Sequence, residues 1–192
     1  MTTMRFTFDP RRTAQAAEWL LHRHDGLLTR GHLLKLLYLA DRQCLIESGA
    51  PITGDYMVSM NQGPVLSITY DLIKGASGMP EAEREWQMRV ITLDPYRVRA
   101  ARRSPSADAY DRLSERHRSI LTDVDVRFGS LSWRQLSDYT HQLPEWENPA
   151  GSMRPIAPET VLAAGNIGAD RTLEIEREAL EDRSLRELLG GA

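Results

Sequence analysis

The stretch Leu33-Leu34-Lys35-Leu36-Leu37-Tyr38-Leu39-Ala40-Asp41 is apolar on nearly every side when wound as a helix, with Lys35 as the interruption. A helix with no polar face is wrapped by other elements. The reading is therefore a mainly α protein: a single helical domain built around a buried central helix. That helix is predicted to start at Thr29 or Arg30 and to run to Ser48, where Gly49 and Pro51 stop it.

Helical patterns lie on both sides of it. Asp9-Pro10 has the form of an N-cap followed by a proline in the first turn, and Ala14, Ala17, Leu20 and Leu21 then recur at helical spacing up to Asp25-Gly26. Tyr110, Leu113, His117, Ile120, Leu121, Val124 and Phe128 share one face of a long pattern, predicted to open at Pro105 or Ser106 and to close at Gly129. Ser132 and Gln135 have the spacing of a capping box for a helix ending near His141. Pro158-Glu159 opens a short helix that closes at Gly165. A final amphipathic stretch is predicted from an Asp170 cap to a Gly190-Gly191 stop, with Leu173, Leu180, Leu185, Leu188 and Leu189 as its apolar stripe. Residues 1–165 are expected to form the domain and 166–192 a C-terminal amphipathic extension. The stripe must be buried either on its own domain or on another chain, a homo-oligomer included.

The β content is expected to be small. Residues 56–60 read as a short strand, Gly63-Pro64 as a break, and Val65 as the start of a helix reaching Lys74. Residues 86–93 and 96–99 alternate around Asp94-Pro95 and read as a hairpin. The β element is expected to be that hairpin alone or, with the residue 56–60 strand, a three-stranded antiparallel sheet.

Several function classes are unsupported. The single cysteine, Cys44, allows no internal disulfide and no cysteine metal site. The formal net charge of −3 sets up no global field for nucleic acid or an anionic membrane. No apolar run approaches the length of a membrane span and no secretory pattern precedes Asp9, so a cytoplasmic protein is expected. His22, His24, His32, His117 and His141 lack zinc-protease spacing, Gly75-Ala76-Ser77-Gly78 lacks the P-loop lysine, and no nucleophile elbow occurs. No catalytic residue, metal or cofactor is expected. His141 has two readings: an acid–base or contact residue beside Asp138 and Trp146, or a hydrogen-bonding residue that fixes the end of its helix. Arg97, Arg99, Arg102 and Arg103 suit phosphate contacts, an acidic protein partner or a solvated strand face. Trp146, in a Pro-flanked loop, is the candidate surface anchor.

In their order and spacing, the segment 33–41, Gly63-Pro64-Val65, Leu136 with Thr140-His141 and Trp146, and Arg154-Pro155-Ile156 resemble the Panacea domain, the SocA-like antitoxin family. The matching motif residues are Lys35, Tyr38, Gly63, Pro64, Val65, Thr140, His141 and Trp146. The resemblance implies a mostly helical fold with a small β element and an antitoxin that binds a cognate protein toxin directly, some members handing it to a protease. It implies no catalytic residues. Candidate partner-binding residues are Trp146, Arg97, Arg99, Leu180 and Leu188. The alternative is a nucleic-acid-binding autoregulator using the arginine hairpin.

Overall fold

The computed structural model describes residues 4–103 and 106–189. Helix α1 (Pro10–His22) starts as its sequence predicts: the Asp9 carboxylate accepts from the Arg12 amide and Pro10 occupies the first turn. A short strand, β1 (Leu27–Thr29), leads directly into helix α2 (Arg30–Ser48). The Thr29 hydroxyl caps α2, and Gly49 ends it in the left-handed conformation at φ +79°. Leu36 and Leu37 are 0% and 1% exposed. The helix is enclosed by α1, by α5 (Glu115–Phe128), α6 (Trp133–Thr140) and α7 (Pro158–Ala164), and by a β-hairpin. This is the central rod that the apolar stretch requires.

The chain is mainly α with small sheets, as expected, but the pairing of the strands differs. Strands β2 (Met57–Met60) and β3 (Gly63–Leu66) form their own hairpin, and β6 (Arg154–Pro155) pairs with the far edge of β2. Strands β4 (Val90–Thr92) and β5 (Arg97–Ala100) form the expected hairpin, but their third strand is β1, which lies beside β5. There are thus two three-stranded antiparallel sheets, not one. Leu27-Leu28-Thr29 is too short to show a strand period, so its pairing was invisible in the sequence. Gly63-Pro64 is not a break. Because β3 is an edge strand, Pro64 is tolerated without an amide hydrogen, and the following helix α3 (Ser67–Lys74) begins only after Leu66.

Three helix boundaries also move. Trp86 lies in helix α4 (Pro80–Gln87), which buries Ala82 and Trp86 four residues apart on one face. Helix α5 is capped by a Ser114–His117 capping box, and a separate 3-10 turn covers Ala107–Tyr110. The predicted opening at Pro105 lies outside the described residues. The α6 capping box, Ser132 with Gln135, forms as read. Helix α8 (Ala169–Leu188) is capped at Gly168, with Asp170 inside its first turn, and the Gly190-Gly191 stop lies outside the described residues.

Helix α8 turns a different side inward from the predicted stripe. Ile175 and Ala179 are its buried residues, with Ile175 lying close against Gly49. Leu173, Leu180, Leu185, Leu188 and Leu189 are exposed, Leu188 by 83%. A stripe read at helical spacing shows that one face is apolar, but not whether a neighbour covers it.

Candidate functional site

Apart from Tyr38, the residues of the sequence signature converge on the β2–β3 hairpin. Met60 pairs with Gly63 across the two-residue turn Asn61-Gln62, and the positive φ falls on Gly63 at +91°. A left-handed glycine directly after a hairpin turn restores the strand twist with no side-chain clash. A Cβ at Gly63 would lie 2.6 Å from Thr140 Oγ1 and 2.7 Å from Lys35 Nζ, so only a glycine fits between α2 and α6 here. The Lys35 amine donates to the Pro64 carbonyl at 2.8 Å. Thr140 turns its hydroxyl back to the Leu136 carbonyl at 2.9 Å.

The same turn is fastened from its other side. Ser137 Oγ donates to the Gln62 carbonyl at 3.0 Å, and His141 Nε2 lies 3.2 Å from the Asn61 carbonyl. The Trp146 indole donates to the Met60 carbonyl at 3.1 Å and sits against the His141 ring, with centroids 4.4 Å apart. Val65 is buried in the core cluster. His141 therefore forms the end of α6 and lies against a loop carbonyl. Asp138 is exposed, and no hydrogen bond joins it to His141 among the described residues.

The remaining sequence candidates lie apart. Arg97 and Arg99 stand on the exposed face of β5, where Arg99 is flanked by Leu27 and Ile91. Arg97 is held by Asp94 at 2.8 Å. Arg102 is removed from the cluster: it binds the fully buried Glu18, which also takes Arg89 at 2.8 Å. Leu180 and Leu188 are exposed on α8.

Buried acids are the features the sequence concealed. Tyr38 donates its hydroxyl to Glu145 at 2.9 Å, and Arg42 reaches the same carboxylate at 2.5 Å. Burial, with Glu145 adding to it, pushes the Tyr38 phenol well above its ordinary value. Asp41 accepts from the Thr53 amide at 3.0 Å and from its hydroxyl, and Asp55 accepts from the Ile68 and Thr69 amides. Tyr38 and Arg42 share a face at i, i+4, which was legible. Their acid lies more than a hundred residues away, which was not. Cys44 is buried, and burial pushes its thiol up to about 11, which leaves it inert at neutral pH.

Two buried groups give opposite pH responses. Burial raises the Asp41 carboxyl to about 7 against the restraining hydrogen bonds from Thr53, and burial alone lowers the Lys35 ammonium to about 7. Between about pH 4 and 7 folded Asp41 holds a proton that the unfolded chain has lost, so its contribution to stability falls as pH rises. Between about 7 and 10.5 the unfolded chain holds a proton that folded Lys35 lacks, so that contribution rises with pH. In denaturation measured from pH 4 to 7, the gap between wild type and Asp41→Asn is expected to shift against wild type as pH rises. The shift is on the order of 4 kcal/mol over the full window. Parallel curves for the two proteins would show that Asp41 does not titrate there.

Beside the fastened hairpin lies a cleft of about 900 Å³, bounded by the start of α2, the β2–β3 turn, the end of α3, residues 95–96 and residues 151–153. Its size is that of a ligand site. No group of three or more His, Cys, Asp or Glu side chains among the described residues is placed to hold a metal ion, and no helix among them is long and apolar enough to cross a membrane.

The family described as antitoxin SocA-like, Panacea domain, matches residues 33–147, from the central helix through the loop that carries Trp146. This chain belongs to the SocA-like Panacea family. Comparison with curated proteins and with solved structures found no match. The matched segment contains Lys35, Ser137, His141 and Trp146, whose side chains fasten the hairpin, whereas β6, which pairs with β2, lies beyond it. Within this Panacea domain Lys35, Gly63, Thr140, His141 and Trp146 thus meet at one turn although they are scattered along the chain, while Tyr38 is bound to Glu145.

Proposed function

We propose that this protein is an antitoxin that neutralises a cognate protein toxin by direct binding and performs no chemistry of its own. The observation that carries the reading is the use to which the Panacea signature is put. Lys35, His141 and Trp146 hold a backbone turn in place and Gly63 packs against Thr140, and among the described residues none of them is hydrogen-bonded to a cysteine or serine side chain. A family defined by such residues defines a scaffold, and its function lies in the surfaces the scaffold presents. The four exposed leucines of α8, with Leu189 at its C-cap, support a polypeptide partner, because a solvent-facing apolar stripe of this kind marks an interaction surface. On this reading residues 166–192 are an added segment on the 1–165 domain, and the complex acts in the cytoplasm.

The test is co-expression with the product of the adjacent open reading frame. That product alone is expected to arrest growth. The pair should restore growth and co-purify, and Leu180→Glu with Leu188→Glu should weaken co-purification. A toxic neighbour that neither binds nor is neutralised would overturn the reading. Delivery to a protease would appear in the same cells as a shortened toxin half-life. The nucleic-acid reading has less support, since Arg97 is tied to Asp94 and Arg102 to Glu18. Salt-sensitive binding of upstream DNA that is lost in an Arg97→Ala, Arg99→Ala variant would favour it.

A further inference from the structure

The cleft beside the hairpin has a one-sided charge. Arg30, Lys35 and Lys74 line it, and no aspartate or glutamate does. The protein as a whole carries a net charge of −3, so this concentration of cations runs against the general balance. Lys35 is the unusual member. It is 2% exposed, its amine has one hydrogen-bond acceptor, the Pro64 carbonyl, and it forms no ion pair among the described residues. An ammonium has three donors, and every other strongly buried charge discussed above has an opposite charge or several hydrogen bonds to balance it. A buried cation without either is costly to keep, and an incoming anion would remove that cost. The walls are apolar and aromatic, with Trp133 lying directly on Gly31 of α2, and Tyr96 and Met153 largely exposed at the rim.

We propose that this cleft receives an extended acidic segment of the protein partner, its carboxylates set against Lys35 and Lys74 and its apolar side chains against Trp133, Tyr96 and Met153. The assignment rests on the antitoxin reading and names the chemistry of the contact. Charge complementarity selects the anion, and the apolar walls select a ligand with side chains to bury. A polynucleotide is a poorer fit, because Lys35 lies too deep to follow a phosphate backbone.

The test uses the full chain and a phage-displayed random dodecapeptide library selected at low salt. Recovered peptides are synthesised, and their binding to wild type, Lys74→Glu and Lys35→Met is measured by calorimetry. The expected result is enrichment of Asp and Glu together with large apolar residues. Lys74→Glu, a change at an exposed position, should weaken binding about tenfold. Lys35→Met should weaken it at least as much, with its melting curve confirming that it folds. Three outcomes overturn the proposal: no excess of acidic residues over the input library, unchanged binding to Lys74→Glu, or an oligothymidylate that displaces the peptides and binds more tightly. The growth test does not depend on this result. Rescue by co-expression together with failed peptide selection rejects the cleft and leaves the antitoxin reading standing.

Discussion

Gly63→Ala is expected to destabilise the protein by about 2–5 kcal/mol, the combined cost of a non-glycine residue at positive φ and of overpacking. The backbone at +91° disfavours any side chain, and the new methyl would lie within 2.7 Å of both Thr140 Oγ1 and Lys35 Nζ. Neither neighbour is free to withdraw, since Thr140 is hydrogen-bonded within α6 and Lys35 holds Pro64. Relief must come from displacement of the β2–β3 turn, which would loosen the bonds from Ser137, His141 and Trp146 together. Gly75→Ala is the control. Gly75 also has positive φ, +68°, but its Cβ would meet nothing within 4 Å. Its expected cost is the backbone contribution alone, about 1–2 kcal/mol. Urea denaturation of the two variants separates strain from crowding. Equal losses would show that crowding between α2 and α6 does not fix the turn.

Glu145→Ala is the second large effect, with an expected loss of about 3–5 kcal/mol and a fall in melting temperature on the order of 10 °C. The carboxylate is fully buried and receives the Tyr38 hydroxyl and the Arg42 guanidinium. Its removal leaves a buried phenol without an acceptor and a mostly buried guanidinium without a counter-charge. It also frees the loop that presents Trp146 to Met60. Adding Tyr38→Phe to Glu145→Ala removes the orphaned hydroxyl and should recover part of the loss. A loss below about 1 kcal/mol for Glu145→Ala would show that the pair behaves as a surface ion pair.

The two variants probe different kinds of sequence information. Gly63 stood out in the sequence as glycine before proline, and its neighbourhood was read as a break. The chain there is instead an edge strand, a position where proline is tolerated because no ladder bond is lost. Glu145 gave no signal. An acid between Pro144 and Trp146 looks like any loop acid, and its burial depends on Tyr38 and Arg42 arriving from a distant helix. The same holds for Arg102. It read as part of a basic cluster until the fold brought Glu18 beneath it.

What the sequence by itself determined was local: the all-round apolar helix that had to be central, the caps at Asp9 and Ser132, the stop at Gly49, and the order of motifs that marks the Panacea family. These follow from periodicity and from backbone groups satisfied within a few residues. Only the tertiary structure decided the partners of each strand, the side of α8 that faces inward, the gathering of Lys35, Gly63, Thr140, His141 and Trp146 at one turn, and the unopposed cations of the cleft. Strand pairing, burial of charge and cavity walls are made by residues far apart along the chain, and their free energies exist only when the chain has brought them together.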